Sequence, residues 1–185
     1  LIKITELTSD RLESFLRYLA LHLAENGING STLFQPLTAS QSQLGKEWES
    51  KFLNAFKIPF GEIGWRKVWI ATNREDVIVG HIDIRHYHEL NTRHRVLLGM
   101  GVDSNFRKQH IGRQLLALVI DYCRTHDRIR WLDLQVLSTN TAAIGLYEKM
   151  QFQKIGTVTD MFRISDVSYD YTSMTLLVDN EHIAI

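Results

Sequence analysis

The sequence predicts a single mixed α+β domain. Two observations carry this prediction. Three strand-like runs lie in series over residues 67–102 and are joined by short polar turns, the pattern of an antiparallel meander. The pattern then switches to helix, strand, helix over residues 113–126, 131–136 and 140–150, before two closing strands. A strand–helix–strand unit needs a crossover connection. No repeat or linker interrupts the 185 residues, a length that suits one core.

Each element has a local reason. Residues 2–7 alternate weakly and read as a first strand. Ser9 or Asp10 can cap a helix whose buried stripe is Leu12, Phe15, Leu16 and Leu19. Residues 26–42 are rich in turn formers and read as a long loop. A second helix is expected from about Ser42 to Phe56. Pro59, Gly61 and Gly64 then return the chain to the sheet. Lys67 to Thr72, Val77 to Tyr87 and Arg95 to Val102 form the meander. Leu115, Leu116, Val119, Ile120 and Cys123 recur at helical spacing. Ala143, Ile144, Tyr147 and Met150 share a face of the next helix. Phe152 to Val158 and Tyr169 to Val178 close the sheet, with a loop expected from Met161 to Ser168.

Composition narrows the function. Lys plus Arg is 21 and Asp plus Glu is 21, so net charge gives no reason to expect nucleic acid or an anionic membrane as partner. The lone Cys123 excludes an intrachain disulfide and a multi-cysteine zinc site. No apolar run reaches the roughly 20 residues of a membrane span. No signal-peptide layout opens the chain, and a cytoplasmic location is expected. His81, His86 and His88 show no convergence of three ligands, so no metal is expected. No Gly-x-Ser-x-Gly elbow points to a hydrolase.

The informative stretch is Met100-Gly-Val-Asp-Ser-Asn-Phe-Arg-Lys-Gln-His-Ile-Gly-Arg-Gln-Leu-Leu, between a strand end and a helix start. The first helical turn offers unpaired N–H groups and the positive end of the dipole. Gly112 lets a ligand approach the backbone, and Arg107, Lys108 and Arg113 add charge. Together they read as a pyrophosphate cradle, or as an ordinary loop with solvated basic residues. The stretch is neither a Walker loop nor a dinucleotide fingerprint. One strand downstream lies Asn140-Thr-Ala-Ala-Ile-Gly-Leu-Tyr-Glu-Lys-Met-Gln-Phe.

The Val102 to Leu116 stretch, with Arg107, Ile111 and Gly112, resembles the acetyl-CoA signature of the GNAT superfamily (Gcn5-related N-acetyltransferases). The Asn140 to Phe152 stretch resembles that family's Asn-x-x-Ala-x-x-Leu-Tyr-x-Lys-x-Gly-Phe segment. The match in strand and helix order covers about residues 67–178. Ser104, His110 and Gln151 depart from it, where proline, glycine and glycine are usual. The resemblance implies a mostly antiparallel twisted sheet of about seven strands flanked by helices, with a splayed strand pair holding the cofactor.

It also implies roles. Gln109, His110, Ile111, Gly112 and Arg113 would hold the pyrophosphate through their amides. Met100, Gly101 and Val102 would pair with the pantetheine arm of acetyl-CoA, and Asn140 would contact it. A backbone N–H there could polarise the thioester carbonyl. Tyr147 read from its spacing alone is a core tyrosine. In the family context it is the acid that protonates the leaving thiolate. Candidate bases for the amine are His81, Asp83, His86, His88, Glu89 and His94. His81 and Asp83 rank first because the middle of their strand neighbours the slot.

Trp48 and Trp65 are candidates to line an acceptor pocket. Arg124, Arg128 and Arg130 form a basic cluster, a solvated rim or a contact for the adenosine 3′-phosphate. The expected activity is acetyl transfer to a primary amine of a small molecule or peptide. The rival readings are a CoA-binding module with weak turnover, kept open by His110, and a protein-interaction domain using residues 26–66. Acceptor specificity is expected in residues 20–66, the turn near Glu89 and the loop from Met161 to Ser168. A homodimer fits the family, though no residue here demonstrates one.

Overall fold

The computed structural model describes residues 1–28 and 30–178, except for the side chain of Lys46. Seven strands form one sheet in the order β1-β2-β3-β4-β5-β7-β6. They are β1 (Lys3–Glu6), β2 (Arg66–Thr72), β3 (Ile78–Arg85), β4 (Arg95–Val102), β5 (Trp131–Leu137), β6 (Gln153–Ile164) and β7 (Val167–Leu177). Every adjacent pair is antiparallel except β4 and β5. Helices α1 (Leu12–Ala24) and α2 (Lys46–Ala55) join β1 to β2, and α3 (Ile111–Thr125) is the crossover between β4 and β5. Helix α4 (Thr141–Lys149) follows β5.

The elements follow the sequence reading with shifted ends. Ser9 and Asp10 fall in a 3-10 turn, Ser9–Arg11, rather than capping α1. Helix α2 starts at Lys46 rather than near Ser42. The loop expected at Met161 to Ser168 is strand. Ser165 and Asp166 take φ of 50° and 65°, so a two-residue hairpin turn joins β6 directly to β7.

The sheet carries a core on each face. Phe15, Leu19, Phe52, Val68 and Ile70 pack on the α1/α2 side. Ile82, Ile84, Leu98, Leu115, Val119 and Tyr147 pack on the α3/α4 side. Strand β3 is covered on both sides. Its alternation of His81, Asp83 and Arg85 with Ile82 and Ile84 is therefore not the outward face of a half-buried strand. His81 and Asp83 are only 9% and 8% exposed, and their face meets a cavity.

The one parallel pair stops early. β4 and β5 are paired only at Arg95↔Trp131, Val96↔Leu132 and Leu97↔Asp133. Beyond Leu97, β4 stays with β3 as far as Val102, and β5 stays with β7 as far as Leu137. The two strands separate there. A buried cluster marks the last paired position. Arg95 donates to both oxygens of Asp133 at 2.7 and 2.6 Å. Tyr87 and Thr175 donate to the same carboxylate at 3.1 and 2.5 Å. Removing Asp133 leaves the Arg95 guanidinium, 28% exposed, without its carboxylate and the Tyr87 and Thr175 hydroxyls without this acceptor. Asp133→Ala should cost about 3 kcal/mol in a urea unfolding midpoint experiment; a loss under about 1 kcal/mol would mean that the clamp is not structural.

Candidate active site

The loop after β4 is built as a cradle. Asp103 accepts from the amide of Asn105 at 2.8 Å and starts a 3-10 turn, Ser104–Phe106. Arg107 turns back, its Nε donating to the Val102 carbonyl at 3.2 Å. It therefore closes the loop on the strand end, a use the sequence does not reveal. The N–H groups of residues 108–113 make no hydrogen bond among the described residues. They precede or begin α3, where the dipole favours an anion.

His110 caps α3 with φ of 62°, the left-handed conformation in which glycine is usual. Its side chain is exposed, so the substitution does not bury the ring in the cradle. A Cβ at Gly112 would stand 3.1 Å from Leu146 Cδ2 and 3.6 Å from Met100 Cε. The start of α3, helix α4 and the free end of β4 thus converge at the mouth of the strand gap. The side chains of Lys108, Gln109 and Arg113 are exposed around it. Asn140 caps α4, its Oδ1 accepting from Ala143 N at 3.3 Å. Among the described residues its amide NH2 donates to no partner.

Tyr147 lies on α4, packed against Phe152 with ring centroids 5.7 Å apart. Burial pushes its phenol up to about 12, so it keeps its proton through the neutral range. Among the described residues its hydroxyl has no hydrogen-bond partner. It does not line the cavity beside β3, but belongs to the core on the other side of the sheet.

That cavity has a volume of about 260 Å³. Phe15, Phe34, Trp48 and Phe52 form its apolar wall. His22, His81, Asp83, Arg66, Arg85 and Lys51 supply its polar groups, and Gly99 and Met100 of β4 lie at one side. The cross-strand register sets the packing: His81 faces Gly101 and Asp83 faces Gly99. A Cβ at Gly101 would lie 2.4 Å from His22 Nε2 and 2.7 Å from His81 Cε1. These glycines thus make room for the histidines and the carboxylate, not only for a ligand.

Tyr18 Oη lies 3.1 Å from His81 Nδ1 and 3.2 Å from the Gly101 carbonyl, to which it donates. A phenol has one proton, so satisfying both contacts requires His81 Nδ1–H to donate to Tyr18. Nε2 then carries the free lone pair. Burial lowers His81 to about 4 and His22 to about 3, with His81 and Arg107 lowering the latter further. Both are neutral near pH 7. Asp83 is held by Arg85 at 3.0 Å and Arg66 at 3.4 Å.

The structure brings His81 and Asp83 together and adds Tyr18 and His22, which the sequence reading missed. Their signal was present: a tyrosine and a histidine four residues apart on the apolar face of α1. The other candidate bases lie elsewhere. His86 accepts from Gly61 N at 2.9 Å and packs on Phe60 and Trp65. His88, Glu89 and His94 do not line the cavity, nor does Trp65, whereas Trp48 does. Of the expected specificity regions only residues 20–66 contribute to it. Asn26 shapes that contribution, bonding Phe34, Gln35 and Leu37 backbone groups and bringing the loop over the cavity. The Arg124 to Arg130 cluster begins at the far end of α3, about 20 Å from the loop after β4 at 1.5 Å per residue. Among the described residues no group of three or more His, Cys, Asp or Glu is placed to hold a metal ion. None of the helices there is long and apolar enough to cross a membrane.

Comparison with known proteins gives the family and the fold. The family model "Acetyltransferase (GNAT) family" matches residues 35–152. The chain belongs to the GNAT acetyltransferase family. The fold is similar to that of yncA from Salmonella typhimurium, solved with its cofactor acetyl-CoA, at 17% identity and TM-score 0.79 over 100% of this chain and 98% of that one. It is similar to a GNAT acetyltransferase from Streptococcus pneumoniae at 21% identity and TM-score 0.79, covering 96% and 99%. It is also similar to a ribosomal-protein-alanine N-acetyltransferase from Brucella melitensis at 22% identity and TM-score 0.72, covering 95% and 99%. At these identities the likeness is one of fold. The matched residues exclude α1, which supplies Tyr18 and His22.

Proposed function

We propose that this single domain moves an acetyl group from acetyl-CoA to a primary amine by direct attack. The observation that carries the reading is the convergence of the unpaired amides of residues 108–113, the strand gap beyond Leu97 and the buried neutral His81. The cosubstrate brings an activated acetyl group as a thioester. The amides of residues 109–113 bind its pyrophosphate, and Lys108 and Arg113 add charge. The free edge of β4 at Met100, Gly101 and Val102 pairs with its pantetheine arm. The Asn140 amide NH2 contacts the arm beside α4.

His81 Nε2 receives the amine proton. An amine nitrogen becomes strongly acidic as its bond to the acetyl carbon forms, so a base with a pKa near 4 suffices at that stage. Tyr18 fixes the tautomer. Asp83, engaged by two guanidinium groups, orients and balances charge rather than taking the proton. Tyr147 gives its proton to the departing thiolate.

Two variants test this. Tyr147→Phe should lower kcat about a hundredfold with the dissociation constant for CoA within about twofold. His81→Gln should lower kcat to a similar degree. The assay is release of CoA thiol over an amine panel. Unchanged kcat in both variants would remove these roles. Binding of acetyl-CoA with no turnover on any amine would favour the CoA-binding module instead.

A further inference from the structure

The polar half of the cavity is unbalanced. Lys51, Arg66 and Arg85 line it with one carboxylate, Asp83, and the neighbouring histidines are neutral. Two positive charges are left over. Arg66 shows the imbalance most clearly. Its side chain is 12% exposed, yet among the described residues it makes no hydrogen bond. Its contacts are the 3.4 Å ion pair to Asp83 and the face of Phe52 at 5.2 Å. Asp83 instead accepts its hydrogen bond from Arg85. A guanidinium has five N–H donors, and those of Arg66 are left to the cavity. Lys51, one turn of α2 beyond Trp48, holds its ammonium 4.9 Å above that indole and has no carboxylate partner among the described residues. Burial and the two arginines disfavour its charge. An anion is the group that would relieve this arrangement, and a planar carboxylate fits a guanidinium fork.

The opposite wall is apolar. Phe15 and Phe52 meet edge to face at 5.2 Å, Phe34 stacks on His22 at 4.5 Å, and Trp48 lies beyond. A volume of about 260 Å³ suits one small molecule rather than a stretch of peptide.

We infer that the acceptor is an amine that also bears a carboxylate on an apolar body, that is, an apolar or aromatic amino acid, with Arg66 and Lys51 taking the carboxylate and the aromatic wall the side chain. Asp83 and His81, beside β4, then face the amino group. This inference rests on the acetyl-transfer reading of the same site.

The test uses matched pairs that differ only in the carboxylate: phenylalanine and phenethylamine, tryptophan and tryptamine, leucine and isoamylamine. Titration calorimetry measures binding to the full chain, and thiol release with acetyl-CoA measures turnover. Each amino acid should bind at least tenfold tighter than its decarboxylated partner. Lys51→Glu, at an exposed rim position, should erase most of that preference, and Arg66→Gln should do the same. Equal or tighter binding of the decarboxylated amines, or a preference untouched by Lys51→Glu in a folded protein, would overturn the inference, as would no binding of any amino acid. A carboxylate preference in binding without any acetyl transfer would instead support this site while sinking the transferase reading.

Discussion

Gly112→Asp should abolish acetyl-CoA binding while leaving the fold intact. Aspartate in the first turn of α3 meets the positive end of the helix dipole, which favours the helix. Its Cβ would crowd only the tip of Leu146 at 3.1 Å, a flexible side-chain end. The melting temperature should stay within about 3 °C of the parent. The same carboxylate would stand where the pyrophosphate is expected. Two like charges 4 Å apart repel by about 4 kcal/mol at an effective dielectric constant near 20. That corresponds to roughly a thousandfold loss of affinity. Titration calorimetry with acetyl-CoA decides the matter. Affinity within tenfold of the parent would move the cofactor away from this turn.

Stability should fall steeply between pH 6.5 and pH 5. His22 and His81 sit at about 3 and about 4 in the folded chain, against about 6.5 when unfolded. Well above pH 6.5 both are neutral in either state and contribute no pH dependence. Below it the unfolded chain takes up protons that the folded chain refuses, so stability is lost as pH falls toward the folded values. The slope approaches about 1.4 kcal/mol per pH unit for each histidine. Together they remove about 4 kcal/mol by pH 5. His86 and His126, also lowered by burial, act in the same direction. Urea unfolding at pH 7.5, 6.5, 5.5 and 5.0 measures the slope. His22→Phe, which can stack between Tyr18 and Phe34, should flatten it by about half of the two-histidine share. A stability that does not change across this range would mean that the two imidazoles are hydrated rather than buried.

The sequence by itself determined the element order and the mixed fold, and it carries the local features on which the proposed cofactor end rests. These rest on local chemistry. Alternation marks strands, helical spacing marks α3 and α4, and the loop after Val102 with Gly112 and Arg113 offers its own backbone amides. Asn140 and Tyr147 are likewise fixed by their place on a short helix. The acceptor end was legible only in fragments. His81 and Asp83 were visible as an alternating polar face, but whether that face met water or a cavity depends on α1 and α2 lying over it. His22 and Arg66 reach the same cavity from α1 and β2, and Tyr18 reaches it only through His81, so their neighbours are set by packing rather than by spacing along the chain. The turn near Glu89 and the segment from Met161 to Ser168 are expected specificity regions because the family resemblance gives no residue match there, and neither lines the cavity. Only the tertiary structure defines the proposed acceptor site, because a buried charge is defined by which other charges share its cavity, and no local pattern records that.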